Sequence, residues 1–235
     1  MVILCDFDDT VADRNIATLL LDRFHPAPSS GPTGRSTRTD WRDLHQRFRD
    51  GQIGLSEYQE AAFADMGTER EEQVAYVKER AGLRPGFVEL THYCAGEGIE
   101  LAIVSHGLDF YIDALLEAAG AHGVPFFAVE TGERDGRPTF AYRYANPACD
   151  WYPGNCKCSV LESYRERHEQ VIYVGDGNSD TCPARRADYV FAREGLLSFC
   201  RSHGIPHREL TDFHVLLDFL KAMPPEMRTR GHAHD

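Results

Sequence analysis

The sequence predicts an α/β fold: a mainly parallel sheet with helices on both faces, plus a small set of helices inserted after the first strand. Three observations carry this. From residue 86 onward, short apolar runs of strand character alternate with helical patterns, the signature of a parallel sheet with crossover helices. The first strand-like run, VILCDF at 2–7, is followed up to residue 82 by helical patterns alone. Polar and acidic residues crowd the ends of several of these strands, where open α/β sheets bind ligands.

The elements follow in order. The run at 2–7 ends in Asp6-Phe7-Asp8-Asp9-Thr10, and residues 15–24 read as an amphipathic helix. Residues 25–40, rich in Pro, Gly, Ser and Thr and carrying Arg35 and Arg38, predict a loop. Three helical patterns fill 41–81, two of them with capping-box spacing, Ser56 with Gln59 and Thr68 with Glu71. Arg84-Pro85-Gly86 turns the chain back toward the sheet. A helix at 86–97, a strand at 100–105 and a helix at 108–119 come next. The segments 125–131 and 138–144 flank Arg134-Asp135-Gly136 and predict a β-hairpin. A Cys-rich loop (146–156), a helix (157–168), a strand (171–175), a short helix, a strand (188–192) and helices near 194–203 and 211–222 complete the pattern. The division expected is a core of 1–12 and 83–222, a helical insert of 13–82, and a disordered tail of 223–235.

Composition narrows the function. With 37 acidic against 25 basic residues the formal charge is −12, which disfavours a nucleic-acid partner. No apolar run approaches the ~20 residues of a membrane span, and the start turns acidic too early for a signal peptide. Seven cysteines, an odd number not spaced as a disulfide framework, suit a reducing cytoplasm. Oligomeric state leaves no sequence signal.

Four places carry chemistry. Asp6 and Asp8 offer one carboxylate as nucleophile and another to reach a leaving group. Ser105 ends a strand, with Gly107 at the expected start of the next helix, where a hydroxyl and backbone N–H groups can hold an anion. Lys157 opens a later helix and supplies a positive charge. Gly175-Asp176-Gly177-Asn178-Ser179-Asp180 follows another strand, and its hard carboxylate oxygens suit Mg²⁺. Together these make a phosphoryl-transfer site. Plainer roles stand beside the sharp ones. Thr10 and Ser105 can be helix caps, Asp180 an acid at a helix start, and His106 either a leaving-group contact or a surface histidine. Cys149, Cys156, Cys158 and Cys182 can be free thiols or gather around a structural zinc, and Cys5, Cys94 and Cys200 sit in apolar segments.

The motifs DFDDT, IVSHG, NCKCSVL and GDGNSD resemble, in order, the four motifs of the haloacid dehalogenase superfamily. The helical insert resembles the small cap of its phosphoserine-phosphatase-like members. LRPGF, VSHGLDFYIDALLE and DYVFAREGLLSFC are similar to the methionine-salvage phosphatases, which act on 2-hydroxy-3-keto-5-methylthiopentenyl-1-phosphate. The Asp-x-Cys-Pro at 180–183 and the Cys156-Lys157 pair resemble the phosphoethanolamine and phosphocholine phosphatases. The resemblance implies a Rossmann-like core and Mg²⁺-dependent hydrolysis of a small phosphorylated metabolite. By its pattern Asp6 is the nucleophile and Asp8 the acid and base. Asp6, the Asp8 carbonyl and Asp176 hold the metal, with Asp180 behind them. Thr10, Ser105, His106, Gly107 and Lys157 face the phosphate. Arg14, Asn15, Tyr58 and Phe63 are pocket-wall candidates by location. Asn15 stands near where phosphoserine phosphatases carry an acid, which weakens phosphoserine as substrate. Phosphotransfer to an acceptor hydroxyl uses the same motifs and stays open. A non-enzymatic binding module predicts a damaged motif, and all four are intact.

Overall fold

The computed structural model describes residues 1–26, 39–64, 66, 68–151 and 153–224. Residues 27–38 of the expected loop and 225–235 of the expected tail lie outside the described residues.

The sheet is built around β1 (Val2–Cys5), all four of whose residues are fully buried. A strand covered on both faces must be apolar throughout rather than alternating, which is what VILC supplies. β2 (Glu100–Leu108) and β5 (Val171–Gly175) flank it, both parallel, with Cys5 opposite Ile103 on one side and Val174 on the other. This register delivers Asp6 to the carboxyl edge between two neighbours. The full order is β4-β3-β2-β1-β5-β6-β7, with β3 (Phe126–Arg134) and β6 (Tyr189–Ala192) parallel and β4 (Arg137–Ala141) antiparallel. The expected hairpin is β3–β4. It turns through Asp135 and Gly136, whose φ of 54° and 71° meet the two-residue turn's need for left-handed backbone. β7 (Arg208–Glu209), paired with β6, was not expected from the sequence.

Ile3 and Cys5 belong to the larger core, with α5 (Phe87–Glu97), α6 (Asp109–Ala118) and α10 (Phe213–Ala222). Val2 and Leu4 point the other way, toward Val160, Leu161 and Tyr164 of α7 (Lys157–Arg165). α8 (Thr181–Ala184) and α9 (Glu194–His203) complete that side with a smaller cluster of their own. Among the described residues no helix is long and apolar enough to cross a membrane.

Between β1 and α5 stand α1 (Ile16–Phe24), α2 (Trp41–Arg49), α3 (Leu55–Phe63) and α4 (Arg70–Arg80). Asn15 caps α1 by accepting from the Thr18 N–H at 2.8 Å, and Asp40 caps α2. Neither expected capping box forms. α3 starts at Leu55, so Ser56 and Gln59 lie inside it and are buried. Glu69, not Thr68, precedes α4, and the Thr68 hydroxyl bonds Glu72 instead.

Candidate active site

Three strand ends and one helix start converge beyond β1. After Cys5 the chain leaves the sheet at Asp6 and folds tightly over 7–11, with Asp9 at a φ of 58°. Arg84 holds this loop from outside, donating to the carbonyls of Thr10 and Asp9 at 2.8 Å and to that of Ala12 at 3.3 Å.

Asp6 is buried and accepts from Lys157 Nζ at 2.6 Å. The same ammonium donates to Asp180 Oδ1 at 2.7 Å, and all three side chains are essentially out of solvent. Burial works against the charge on Lys157, but Asp180 and Asp6 outweigh it and hold the ammonium well above its ordinary range. Asp180 also takes the Tyr173 hydroxyl (2.6 Å) and the N–H groups of Asp176 (3.0 Å) and Gly177 (2.9 Å). Its burial opposes ionisation, yet Lys157 and these donors keep its carboxyl below the usual range. Gly175 makes room for it: a Cβ there would lie 2.5 Å from the Asp180 carboxyl carbon.

Asp176 receives the Thr10 hydroxyl at 3.0 Å. Burial, and then the charges of Asp6 and Asp180, push it up to about 9. Oxygens of Asp6, Asp176 and Asp180 lie within 4.8 Å of one another, and the one ammonium among them pairs with Asp6 and Asp180. That excess of hard anionic oxygen fits a small divalent cation such as Mg²⁺. Both Asp180 oxygens are already taken by four donors, leaving Asp6 and Asp176 as the carboxylates free to hold it.

Asp8 stands across the cavity. Its Oδ1 accepts from the Ile16 N–H at 2.6 Å and its Oδ2 from the Tyr111 hydroxyl at 2.8 Å. Burial, with Asp6 and Asp9 nearby, raises it to about 7 despite those bonds. Burial similarly lifts Asp6 to about 6, with Lys157 pulling against it. Burial thus raises two neighbouring carboxyls that have different partners, an ammonium for Asp6 and a tyrosine hydroxyl with a backbone N–H for Asp8.

The cavity beside them, about 250 Å³, is lined by Asp6, Asp8, Asn15, Tyr58, Ser105, His106, Gly107, Lys157 and Asp176 among others. Thr10 and Asp180 sit behind it, fully buried. Arg14 is not brought in: its guanidinium pairs with Asp13 at 3.0 Å near solvent. Phe63 lines a different cavity.

The second motif differs from the expected geometry. β2 does not stop at Ser105 but runs to Leu108, with a register shift against β3 between Val104 and Leu108. Gly107 is therefore in the kinked strand, two residues before α6, and its N–H donates to Ser105 Oγ at 2.9 Å. A Cβ at Gly107 would meet Tyr111 Oη at 2.2 Å and Asp8 Oδ2 at 2.8 Å. His106 lines the cavity with its Nε2 2.8 Å from the Asn155 carbonyl and its ring against Trp151. Burial, and then Lys157, lower it to about 3, so it is neutral and donates that N–H.

Sequence reasoning missed Tyr111, Tyr173, Arg84 and Gln59. Tyr173 had a readable signal, a hydroxyl inside the buried strand VIYVG. Gln59 is buried, donates to the His106 carbonyl at 2.6 Å, and keeps its Oε1 without a partner.

A family model described as Putative Phosphatase matches residues 1–201. The chain belongs to that family. As a member of the Putative Phosphatase family it is an enzyme of the phosphoric monoester hydrolase class. It is 27% identical over 229 residues to the 2-hydroxy-3-keto-5-methylthiopentenyl-1-phosphate phosphatase of Brevibacillus brevis, covering 97% of this chain and 98% of that one. The enzyme of the same description from Exiguobacterium sibiricum is 28% identical, covering 93% and 95%. Among solved structures, a phospho-aspartyl intermediate analogue of phosphoserine phosphatase aligns with a TM-score of 0.61 at 15% identity, covering 93% and 97%. The Putative Phosphatase chain therefore has the haloacid dehalogenase fold.

Proposed function

We propose that the protein hydrolyses a small phosphomonoester metabolite, with Mg²⁺ as cofactor and Asp6 as the nucleophile that carries the phosphoryl group between two half-reactions. The observation that carries this reading is the placement of Asp6. Its carboxylate borders a cavity, accepts from Lys157 at 2.6 Å, lies within 4.8 Å of an Asp176 oxygen, and faces Asp8 across the same space.

The residues divide the work. Asp6 attacks phosphorus and forms an aspartyl-phosphate. Asp8, raised to about 7 by burial, gives its proton to the departing alkoxide and takes one from the water that releases phosphate. Tyr111 and the Ile16 N–H fix its two oxygens for both steps. Lys157, anchored by Asp180, offers charge to the phosphoryl oxygens, and Ser105 lines the same wall. Asp6, Asp176 and the Asp8 carbonyl would hold Mg²⁺, oriented by Thr10 and by Asp180. When bound, the ion neutralises phosphoryl charge as it develops.

The helical insert, 13–82, serves as the cap over this site: Asn15 of its first turn and Tyr58 and Gln59 of α3 line the cavity. The unpartnered Gln59 Oε1 favours a leaving group that carries a hydrogen-bond donor. The relatives' named substrate, 2-hydroxy-3-keto-5-methylthiopentenyl-1-phosphate, bears such a hydroxyl and is the first candidate. All seven cysteines are free thiols, in keeping with a reducing cytoplasm.

The test is phosphate release from that compound, phosphoserine, phosphoethanolamine, phosphocholine and sugar phosphates, with Mg²⁺ or EDTA. Asp6→Asn should lower kcat by about 10⁴–10⁶-fold, as loss of a covalent nucleophile does. Full activity in EDTA, or an active Asp6→Asn, would overturn the reading.

A further inference from the structure

Four of the seven cysteines line a second cavity of about 590 Å³ that shares no residue with the one beside Asp6. These are Cys149, Cys156, Cys158 and Cys182. Within this group Cys158 Sγ and Cys182 Sγ stand 2.7 Å apart, one on α7 and one on α8. A closure of roughly 0.7 Å would bring them to the ~2.05 Å of a disulfide. We propose that Cys158 and Cys182 form a reversible oxidation site, closing to an intramolecular disulfide when a peroxide reaches Cys182.

The two sulfurs differ in the way such a site requires. Cys182 is partly exposed at the cavity, whereas Cys158 is 6% exposed and burial raises its thiol well above the ordinary range. The exposed member meets the oxidant and the buried one resolves the product. The Arg186 guanidinium borders the same cavity and acts electrostatically on Cys158, opposing in part the effect of its burial. The Cys182 thiol gives up its proton as its sulfur takes one oxygen from hydrogen peroxide, and the hydroxide that leaves recovers that proton, giving a sulfenic acid and water. Cys158 then displaces hydroxide from that sulfur, which leaves as a second water. Two thiols are oxidised and one peroxide is reduced; a dithiol reductant reverses the bond by exchange.

A structural zinc is the competing use of four thiols, and the geometry disfavours it. Among the described residues the only group of three or more potential ligands lying within 4.8 Å of one another is Asp6, Asp176 and Asp180. Cys156 caps α7, accepting from the Ser159 N–H at 3.4 Å.

The location gives the pair its consequence. Cys158 follows Lys157 directly, and Cys182 lies two residues after Asp180. A bond between them fastens together the two segments that deliver the Lys157–Asp180 ion pair. This holds whatever ester the enzyme hydrolyses.

The test uses the full chain, reduced, freed of metal, treated with hydrogen peroxide and then blocked with N-ethylmaleimide before digestion. The expected product joins the peptides of Cys158 and Cys182 with loss of two hydrogens, and dithiothreitol restores both thiols. The oxidised protein should melt several degrees higher, because the bond closes the loop 158–182 in the unfolded chain. Cys182→Ser and Cys158→Ser should each abolish the linkage, and Cys149→Ser should leave it. If Cys158→Ser does not fold, the partly exposed Cys182→Ser decides. Linkage of Cys149 to Cys156, irreversible oxidation of Cys182 without linkage, or about one zinc per chain shielding all four thiols would each overturn the proposal.

Discussion

Replacing Asp180 with alanine tests whether the site is held together from behind. The carboxylate is 0% exposed and accepts four hydrogen bonds, from Lys157, Tyr173 and two backbone N–H groups. Without it, Lys157 keeps Asp6 alone, the Tyr173 hydroxyl loses its acceptor, and the turn at 178–180 loses the group that ties it to β5. Removing one partner of a buried ion pair costs about 3–5 kcal/mol, and orphaned buried donors cost about 1–3 kcal/mol each. These terms overlap, because Lys157 retains one carboxylate, so about 3–5 kcal/mol is the expected loss. For a chain of this length that corresponds to a fall in Tm of roughly 6–20 °C. The assay is thermal and urea unfolding at pH 7 in EDTA, followed by circular dichroism. The sign with pH is fixed by the depressed carboxyl of Asp180. Its contribution is present above the unfolded value and is lost as pH falls through the folded one, so the two proteins must converge in acid. A loss under about 1 kcal/mol at pH 7, or a gap that widens in acid, would refute the reasoning.

Three further outcomes follow from the same geometry. Asp6, Asp8 and Asp176 are raised by burial, so their contribution to stability is present below about pH 4 and is lost as pH climbs toward about 6, 7 and 9 respectively. Mg²⁺ should therefore raise Tm more at pH 8.5 than at pH 6, and the reverse trend would count against a cation among these carboxylates. Gly107→Ala places a Cβ against Tyr111 Oη and Asp8 Oδ2, so kcat should fall about 10²-fold with the protein still folded, a result read by initial rates and circular dichroism. Gln59→Leu removes the bond to the His106 carbonyl and the free acceptor, and should raise KM about tenfold with a smaller change in kcat; an unchanged KM would show that α3 does not touch substrate.

The central strands were legible because burial on both faces leaves only one kind of sequence possible. VILC is apolar throughout and VIYVG is so but for the Tyr173 hydroxyl, with the acidic residues placed beyond their ends. β7 was not legible: Arg208 and Glu209 are both exposed, and only pairing with β6 makes them a strand. The end of β2 was misread for a related reason. Ser105-His106-Gly107 looks like a strand stop followed by a helix start, but a register shift against β3 carries the strand past it. The capping boxes fail for two reasons: the Thr68 hydroxyl bonds Glu72 and α4 starts after Glu69, while α3 starts before Ser56 and leaves Gln59 to a tertiary contact. Gln59 reaches His106, 47 positions away, instead of its own helix terminus.

The candidate site divides along the same line. Carboxylates and the lysine fall in short local motifs, so spacing exposes them. Tyr111 meets Asp8 across 103 positions and Arg84 meets the 7–11 loop across more than seventy, and nothing in either local sequence announces the partner. These distant donors decide what the motif residues can do. Asp6 and Asp8 are two residues apart on one loop, yet one faces an ammonium and the other a tyrosine hydroxyl and a backbone N–H. Lys157 in turn is shared between Asp6 and Asp180, so it is not a free cation waiting for phosphate. A phosphoryl group entering beside Asp6 adds negative charge to three carboxylates already short of compensation. The anion and a divalent cation are therefore expected to enter this site as mutually dependent partners, and the acidic cluster that repels phosphate alone becomes its receptor once the charge is balanced.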